Sequence, residues 1–354
     1  MPRKVLAALL LLGITLLIWI YQTSNAEFDN TVSLLKENQV YFYKPIISPP
    51  SNICESSPLA IILVTSYVGH VELRSAHRRA MTSDYLKSKN TSRIFLLAGV
   101  PSKEKSITQS AINDESDAFH DILQGSFYEN YRNLTYKHLM GLQWASSNCR
   151  TTSFIIKVDD DTVFNFDKTY SFLSHIPIKE RDDLIIGYTL KNTSPRRNKQ
   201  NKWYVTWDEY SRQMYPPYLS GWYYIISPKL AAMICSEAPY HPYFWIDDIF
   251  VTGILTDYIG IKLKQLPDNF WLEYYELLDC CLRDMLNKGI ECEYVVGPNG
   301  GRNELLVEFN DSFKICKNNC TSRDINKKLK DTCVMPGDRT LFSNGQAQVH
   351  DTLL

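Results

Sequence analysis

The sequence predicts an α/β fold built on a mostly parallel β-sheet, and two observations support this prediction. First, four short runs of apolar, mostly β-branched residues lie at 59–66, 94–99, 154–158 and 184–187. Such runs are typical of strands buried on both faces of a parallel sheet. Second, stretches with helical periodicity separate the runs, most clearly at 133–146. Because strands and helices alternate, we expect ligands at the carboxyl ends of the strands.

The composition is that of an ordinary globular protein. The chain has 354 residues, of which 44% are hydrophobic and 22% are charged, enough for one large domain with additional N-terminal segments. The net charge is -1 and no basic stripe is interleaved with aromatic residues, which argues against a nucleic-acid partner. The 22 Tyr and 7 Trp residues are numerous. Most are expected in the core, although aromatic faces also stack on sugar rings.

The N-terminus predicts a membrane anchor. Arg3 and Lys4 precede an apolar run from Val5 to Ile20, and acidic residues follow it, which predicts a cytoplasmic N-terminus. A cleaved signal peptide with a site near Ala26 is the alternative. Both interpretations place the bulk of the chain in the lumen or outside the cell. The predicted divisions are a cytoplasmic tail (1–4), a transmembrane signal anchor (5–21), a stem (22–58) and a lumenal domain with a Cys-rich C-terminal region (59–354).

Sequons and cysteines agree with an oxidising, glycosylating compartment. Six of the nine cysteines lie between Cys280 and Cys333, which predicts a disulfide-stapled C-terminal region and leaves at least one cysteine unpaired within the chain. The spacing of Cys316 and Cys320 also permits a zinc site, although no histidine lies nearby. The five candidate N-glycosylation sites are Asn90, Asn133, Asn192, Asn310 and Asn319.

Three consecutive carboxylates directly follow the third apolar run. Asp159, Asp160 and Asp161 repel one another, and a hard divalent cation bound through oxygen ligands would compensate their charge. Asp159 and Asp161 lie on the same side of an extended chain and are the better candidates for metal ligands, whereas Asp160 points the other way. A solvated acidic turn is the alternative interpretation.

Five segments resemble, in order, the motifs of the beta-1,3-galactosyltransferase family, which also contains beta-1,3-N-acetylglucosaminyltransferases. The resemblance extends from about Leu59 to Leu255, and the order of the five motifs makes it more specific than any one of them. The segments are Arg74–Arg78, Asp121–Lys137, Lys157–Asn165, Lys202–Gly221 and Asp247–Val251.

The resemblance implies a GT-A fold, a UDP-sugar donor, Mn²⁺ or another divalent cation, and an inverting mechanism. The expected reaction moves galactose or an N-acetylhexosamine to the 3-hydroxyl of an acceptor sugar on a glycoprotein or glycolipid. The expected location is the Golgi membrane, with a single-pass type II topology and a lumenal catalytic domain. By resemblance, Asp159 and Asp161 hold the metal. The expected donor-binding residues are Arg74, Arg78, Lys157, Asp160, Ser220 and Gly221, and the expected acceptor-binding residues are Trp203, Tyr218, Trp222 and Asp247.

Asp248 is the residue that the resemblance implies as the catalytic base. An inverting transfer needs one carboxylate, distinct from those that hold the metal, to take the proton of the acceptor hydroxyl. Apolar residues flank the pair Asp247 and Asp248, and this setting raises a carboxyl pKa. Without the resemblance, an acidic cap at a helix N-terminus is the more common role for such a pair.

The sequence also departs from the family pattern. Trp222 and Tyr223 follow Gly221 where the family commonly has small residues, which leaves the identity of the donor sugar open. His77 stands where the family has an aliphatic residue, and Leu219 where it often has a cysteine. Two other functional classes stay open: a catalytically silent lumenal lectin or chaperone of the same fold, and a secreted metal-dependent phosphohydrolase.

Overall fold

A computed structural model gives the fold of the chain. It describes residues 39–54, 58–272, 274–324 and 326–333. The predicted cytoplasmic tail and signal anchor (1–21) and part of the predicted stem lie outside these residues. Among the residues that the structure describes, none of the helices combines the length and the apolar character needed to cross a membrane.

Ten strands and eleven α-helices form the described chain, together with one π-helical segment at Ile249–Ile254. The strands are β1 (Pro45–Ile47), β2 (Ala60–Thr65), β3 (Thr91–Gly99), β4 (Ile122–Tyr128), β5 (Phe154–Asp159), β6 (Thr162–Phe164), β7 (Ile185–Leu190), β8 (Tyr218–Ile226), β9 (Lys264–Gln265) and β10 (Val296–Pro298). The helices are α1 (Val71–Ala80), α2 (Ser83–Ser88), α3 (Gln109–Phe119), α4 (Leu134–Asn148), α5 (Phe166–Ser174), α6 (Ile178–Arg181), α7 (Pro228–Glu237), α8 (Leu255–Tyr258), α9 (Tyr275–Lys288), α10 (Leu305–Cys316) and α11 (Leu329–Thr332).

A central eight-stranded sheet has the order β1-β4-β3-β2-β5-β8-β7-β9. The four strands β4, β3, β2 and β5 are parallel, which confirms an α/β fold with a central sheet. Strand β8 runs antiparallel to both β5 and β7, so the sheet is mixed to a greater extent than the sequence predicted. The four predicted apolar runs correspond to strands β2, β3, β5 and β7. A separate antiparallel pair joins β6 to β10.

Both faces of the parallel strands are buried, as their uninterrupted apolar character requires. Helix α4 packs closely on one face at Gly141, where an added Cβ would lie 2.4 Å from Leu96 Cδ1 and 3.3 Å from Leu63 Cδ1. The glycine therefore sets the distance between this helix and the sheet.

The Cys-rich C-terminal region covers the other face and belongs to the same core. Phe309 and Phe313 of α10 and Leu278 of α9 are buried in one cluster with Val64 and Val158 of the sheet. This region carried no sequence motif, and the structure assigns it a packing role that the sequence did not show.

The folded sheet begins inside the predicted stem. Strand β1 pairs antiparallel with β4, and Cys54 forms a disulfide with Cys149 at the end of α4. Strand β1 and Cys54 both lie before the predicted domain start at residue 59. Residues 39–41 and Pro239–Tyr243 belong to a separate small unit, within which Gln39 bridges Pro242; the larger unit comprises Phe42–Ala238 and the chain from Phe244 onward.

Eight cysteines are paired in disulfides and Cys235 is free and buried, in keeping with the odd cysteine count. Cys316 is bonded to Cys320, so their spacing reflects a disulfide and not the zinc site left open by the sequence. The other C-terminal pairs are Cys280–Cys333 and Cys281–Cys292.

We expect the Cys54–Cys149 disulfide to be a large source of stability because it closes a loop of 95 residues. Replacing both cysteines with serine should lower the free energy of unfolding by about 2–5 kcal/mol. Denaturant unfolding of the wild type and the variant measures this difference. Cys235→Ala is the matched control, because it removes a buried thiol without opening a loop, and its effect should be smaller. An equal effect of the two changes would contradict the prediction.

Candidate active site

A cavity of about 170 Å³, lined by many charged and hydroxyl-bearing residues, lies where β2, β4 and β5 end. Because these strands are parallel, their carboxyl ends meet at one edge of the sheet, which is where α/β proteins bind ligands. The residues that line the cavity are Thr65, Ser66, Tyr67, His70, Glu129, Asn130, Tyr131, Leu134, Lys137, Asp159, Asp160 and Asp161.

The three adjacent carboxylates differ in their partners. Asp159 Oδ1 accepts a hydrogen bond from Lys157 Nζ at 2.6 Å, and Asp160 Oδ2 lies 2.9 Å from His70 Nδ1. Asp161 is exposed, and in the described part of the chain its carboxylate forms no hydrogen bond or ion pair with another side chain. Asp161 therefore keeps its oxygens available for a ligand.

The charges at this cavity are only partly compensated. The pKa of Asp159 is raised to about 7, chiefly by burial; Lys157 opposes this increase, and the charges of Asp161 and Asp247 add to it. Although part of Asp161 is exposed to solvent, desolvation of its carboxylate within the cavity and the charge of Asp160 also raise its pKa. A bound cation would relieve this repulsion, and carboxylate oxygens suit Mn²⁺ or Mg²⁺.

These carboxylates fit a metal that takes only part of its coordination from the protein. Within the described ranges, three potential ligand atoms approach within 4.8 Å of one another only at Cys281, Cys292 and Glu293. That cluster is not a metal site, because its two cysteines form a disulfide. Asp159 and Asp161 thus do not form a closed cage, and the phosphate oxygens of a donor and water would complete a metal bound there.

Lys157 connects the carboxylates on β5 to strand β8. Its ammonium group is buried and donates hydrogen bonds to Asp159 Oδ1 and to the carbonyl oxygen of Gly221. Burial alone would lower the pKa of Lys157, but Asp159 and Asp247 raise it, so the group stays protonated.

Gly221 is also adjacent to Asp248. A Cβ added at this glycine would lie 3.3 Å from Asp248 Cβ and 3.6 Å from Lys157 Nζ. The absence of a side chain at this position therefore lets the backbone of β8 approach both charged groups.

Asp247 is held by a buried histidine. His138 Nδ1 donates to Asp247 Oδ2 at 2.9 Å, and His138 Nε2 accepts from the Tyr224 hydroxyl. Burial alone would raise the pKa of Asp247, but the bond from His138 and the charge of Lys157 lower it to about 2. Asp247 is therefore a stable anion with a fixed orientation, and it is a poor proton acceptor at neutral pH.

Asp248 has the opposite electrostatic character. Burial raises the pKa of Asp248 to about 7, and the charge of the adjacent Asp247 contributes to this increase. Asp248 Oδ1 accepts from Ile249 N at 2.8 Å and caps the π-helical segment, so the capping role considered from the sequence is present. Among the described residues, none donates a hydrogen bond to Asp248 Oδ2. One oxygen is thus used for the cap, and the other is available for a substrate proton.

Comparison with known proteins identifies the family. The sequence model of the galactosyltransferase family matches residues 73–267. The chain belongs to this family. Human beta-1,3-galactosyltransferase 2 is 32% identical over 238 residues, which are 67% of this chain and 56% of that protein. The chain therefore spans little more than half the length of this relative.

Two further similarities are more distant. Human beta-1,3-galactosyltransferase 5 is 28% identical over 220 residues, covering 62% of this chain and 69% of that protein. Among solved structures, a mannosyltransferase from Pyrobaculum calidifontis in complex with GDP-Man and Mn²⁺ has a TM-score of 0.32 and 12% identity, covering 78% of this chain and 76% of that chain.

Two family-motif arginines lie away from the cavity lining. Arg74 is fully buried, and its five N–H groups donate to both carboxylate oxygens of Glu115, to Ser66 Oγ and to the carbonyl oxygens of Tyr67 and Val68. Since all of its donors are used within the protein, the structure favours a role for Arg74 in holding the loop after β2. Direct binding of the donor by Arg74 stays a prediction.

Arg78 likewise forms its hydrogen bonds within the protein. It donates to Glu115 and to both oxygens of Asp121, and its guanidinium lies 4.0 Å from the ring centroid of Phe119. It therefore orders the neighbouring strand and helix, and nothing in its contacts points toward a ligand.

Three other expected substrate-binding residues are Tyr218 and Ser220 on β8, and Trp203. Burial raises the pKa of Tyr218 to about 12, and the charge of Asp248 contributes to this increase. Ser220 is buried in β8 beside Gly221. Trp203 is half exposed, and its indole N–H donates to the Tyr131 hydroxyl at 3.0 Å; Tyr131 lines the cavity.

The structure also brings residues to the site that the sequence analysis did not assign. His70 holds Asp160 and His138 holds Asp247, as described above. Lys137 is a buried cation at the base of the cavity, where its ammonium donates to both oxygens of Glu129 and to the Ser66 carbonyl oxygen. His138 lies on the apolar face of α4, and a polar ring on such a face signals a buried partner, although the sequence does not identify that partner.

The five sequons differ in their surroundings. Asn90, Asn192 and Asn319 are exposed, and the first two adopt a positive φ that asparagine tolerates. The side chain of Asn133 donates to the Tyr128 carbonyl oxygen. Asn310 is buried in α10, and its amide donates to the carbonyl oxygens of Phe164 and Leu306. Asn310 therefore has no room for a glycan in the folded protein, which corrects its place among the predicted sites.

We expect Arg74 to stabilise the folded protein, because its removal leaves the carboxylate of Glu115 without its main partner. Arg74→Met should lower the free energy of unfolding by about 3–5 kcal/mol. Glu115→Gln should also destabilise the protein markedly. Arg79→Met is the control, since Arg79 pairs with Glu304 at the surface and exposed pairs contribute about 0–1 kcal/mol. Full stability of Arg74→Met together with weaker donor binding would instead indicate direct contact with the donor.

Proposed function

We propose that the chain is an inverting, metal-dependent hexosyltransferase of the GT-A type. The reaction is transfer of galactose or an N-acetylhexosamine from a UDP-sugar to the 3-hydroxyl of an acceptor sugar. The observation that carries the proposal is the presence at one site of two unlike carboxylates, an uncommitted Asp161 that follows β5 and an Asp248 with a raised pKa beside Gly221 of β8, with Lys157 linking β5 to β8. Family membership supports the same conclusion.

Asp248 is the base in this proposal. Its free oxygen takes the proton of the acceptor hydroxyl while the acceptor oxygen bonds to the anomeric carbon of the donor sugar. The bond from that carbon to the diphosphate oxygen breaks, and UDP leaves with the electron pair. Because attack and departure occur on opposite faces, the configuration at the anomeric carbon inverts. A pKa near 7 is well suited to this step at neutral pH.

Asp159 and Asp161 would hold the divalent cation. A cation bound there would neutralise the charge that develops on the departing diphosphate. Lys157 keeps Asp159 in place through its 2.6 Å hydrogen bond, and His70 holds Asp160 through a contact of 2.9 Å. In this proposal, the donor therefore meets two carboxylates: Asp161, which is unpaired, and Asp159, whose charge Lys157 balances.

The proposed location is the Golgi lumen, with the chain anchored in the membrane by residues 5–21. Support comes from the apolar run in the sequence, from four disulfides and from exposed sequon asparagines. The proposed partners are a UDP-sugar donor, a glycan acceptor on protein or lipid, and the Golgi membrane. The even mixture of charges gives no support to a nucleic-acid partner.

We expect transfer by the protein in the presence of UDP-sugars, Mn²⁺ and a mixed glycan acceptor library. Asp161→Asn and Asp248→Asn should each lower kcat/KM by about 10²-fold or more, and a chelator should abolish transfer. Asp183→Asn is the control, because Asp183 is an exposed carboxylate paired with Lys229. Normal binding of UDP-sugar and metal without transfer in the wild type would favour the lectin or chaperone alternative, whereas acceptor-independent hydrolysis would favour a phosphohydrolase.

The pH dependence provides a second test of Asp248. A base with a pKa near 7 is protonated in acid, so kcat/KM should rise as the pH increases through about 7. The raised pKa also means that ionisation destabilises the fold, since stability present below the unfolded pKa is lost as the pH rises through the folded pKa. Asp248→Asn should therefore be at least as stable as the wild type at pH 8. Marked destabilisation by Asp248→Asn would indicate that its capping role dominates.

A further inference from the structure

Two buried side chains lead to Asp247 through successive hydrogen bonds. The hydroxyl of Tyr224 on β8 lies 2.5 Å from His138 Nε2, and Nδ1 of His138 on α4 lies 2.9 Å from Asp247 Oδ2. Tyr224 and His138 are at most 1% exposed, so both hydrogen bonds are shielded from bulk water. The three residues come from three separate parts of the sequence. We call Tyr224, His138 and Asp247 the Tyr-His-Asp trio.

The donors and acceptors of the trio fit together in one way. Burial raises the pKa of Tyr224 and lowers the pKa of His138, so both side chains are neutral near pH 7. A neutral imidazole carries one N–H, and an ionised Asp247 can only accept. Nδ1–H therefore donates to Asp247, and Nε2 accepts from the hydroxyl of Tyr224. With the opposite tautomer, the lone pair of Nδ1 would face the carboxylate at 2.9 Å.

Asp247 and Asp248 are adjacent, but their carboxylates have different partners. Asp247 accepts the N–H of His138, whereas Asp248 accepts the backbone N–H of Ile249. Asp248 lies instead against Gly221, where an added Cβ would be 3.3 Å from Asp248 Cβ. In the part of the chain that the structure describes, Asp247 is therefore the member of this pair that receives a hydrogen bond from a side chain.

This asymmetry determines where the pair carries its charge. Two adjacent, largely buried carboxylates repel each other, so one of them keeps its proton to a higher pH than the other. A hydrogen bond donated to a carboxylate favours its ionised form. The N–H of His138 therefore favours a negative charge on Asp247 and a proton on Asp248. Lys157 attracts both carboxylates and does not by itself distinguish them.

The other titratable groups around the trio and Asp248 do not replace His138 in this role. Strand β5 contributes Lys157 and Asp159, whose opposite charges meet at 2.6 Å. The remaining groups are phenols and one thiol whose pKa burial raises, so that they stay uncharged near pH 7: Tyr131, Tyr215, Tyr218, Tyr224 and Cys235. Among the described residues, His138 is thus the side chain that distinguishes Asp247 from Asp248.

We propose that His138, oriented by Tyr224, fixes Asp247 as the ionised member of the pair, so that Asp248 is the member that exchanges a proton near neutral pH. His138 and Tyr224 are positioning residues, because they act through Asp247 and do not line the cavity. This inference rests on the proposed function, in which Asp248 takes the proton of the acceptor hydroxyl.

The first test follows the protonation of each carboxylate by NMR in the whole protein labelled with ¹³C-aspartate, from about pH 3 to 8. Asp247→Asn and Asp248→Asn assign the two signals. In the wild type, Asp248 should titrate near neutral pH while Asp247 stays ionised. His138→Leu should raise the titration midpoint of Asp247 by about one to two pH units, the effect of losing one hydrogen bond to a charged group.

Two milder variants separate the hydrogen bond from general damage to the core. His138→Asn should restore most of the wild-type midpoint of Asp247, because its amide N–H can replace Nδ1–H. Tyr224→Phe should raise the midpoint by a smaller amount, because His138 then loses the partner of Nε2. Leu142→Val is the matched control, since Leu142 is buried one turn further along α4 and carries no polar group. It should leave the midpoints of both carboxylates unchanged.

A second test reads the tautomer of His138 directly at neutral pH. In the protein labelled with ¹⁵N-histidine, the signals that His138→Asn removes should be those of a neutral ring with the proton on Nδ1. A proton on Nε2, or a charged ring, would overturn the inference. So would an Asp247 midpoint that is the same in His138→Leu as in the wild type.

The NMR measurements need no turnover, which keeps this inference separate from the proposed function. When transfer is measured, His138→Leu should lower kcat more than it raises the KM of the UDP-sugar, and His138→Asn should recover part of the loss. The expected NMR behaviour without transfer in the wild type would sustain the role of His138 and refute the transferase activity. Transfer with an unchanged Asp247 midpoint in His138→Leu would refute the role of His138 alone.

Discussion

The ammonium group of Lys157 is the interaction on which the candidate site depends. It is buried between β5 and β8, where it bonds Asp159 and the Gly221 carbonyl oxygen. Without this charge, Asp159 would be a buried anion without a partner, a costly arrangement. The same charge acts on Asp247 and Asp248, so one side chain influences the electrostatics of the acidic triplet and of this second pair of carboxylates.

The sequence predicted those features that depend on local pattern. Strands β2, β3, β5 and β7 were predicted because apolar, β-branched runs have few alternatives to a buried strand. Strand β8 was missed because its tyrosines, its Ser-Gly step and the preceding prolines are typical of a loop, and only pairing with β5 and β7 makes it a strand. Family motifs similarly directed attention to Asp160 and Asp247, whereas their partners His70 and His138 lie outside those motifs.

The sequence could not predict which residues pair with the side chains of the site, because these pairs join residues that lie far apart in the sequence. Arg74 matched a motif and was expected near the donor. Its N–H groups instead donate to Glu115 and to three oxygen atoms of the loop after β2. The C-terminal region illustrates the same limit. Asn299 N donates to the Asp161 carbonyl oxygen and β10 pairs with β6, so a segment without any motif supports the acidic triplet.

The two outer strands of the central sheet are too short to pair extensively with a second molecule. These strands are β1, with three residues including Pro45, and β9, with only Lys264 and Gln265. An incoming chain would find few backbone groups to pair with, one of them removed by a proline and others flanked by a lysine charge. Edge-to-edge association of two such sheets is thereby disfavoured, which lowers the tendency of a protein with an eight-stranded, strongly apolar sheet to aggregate.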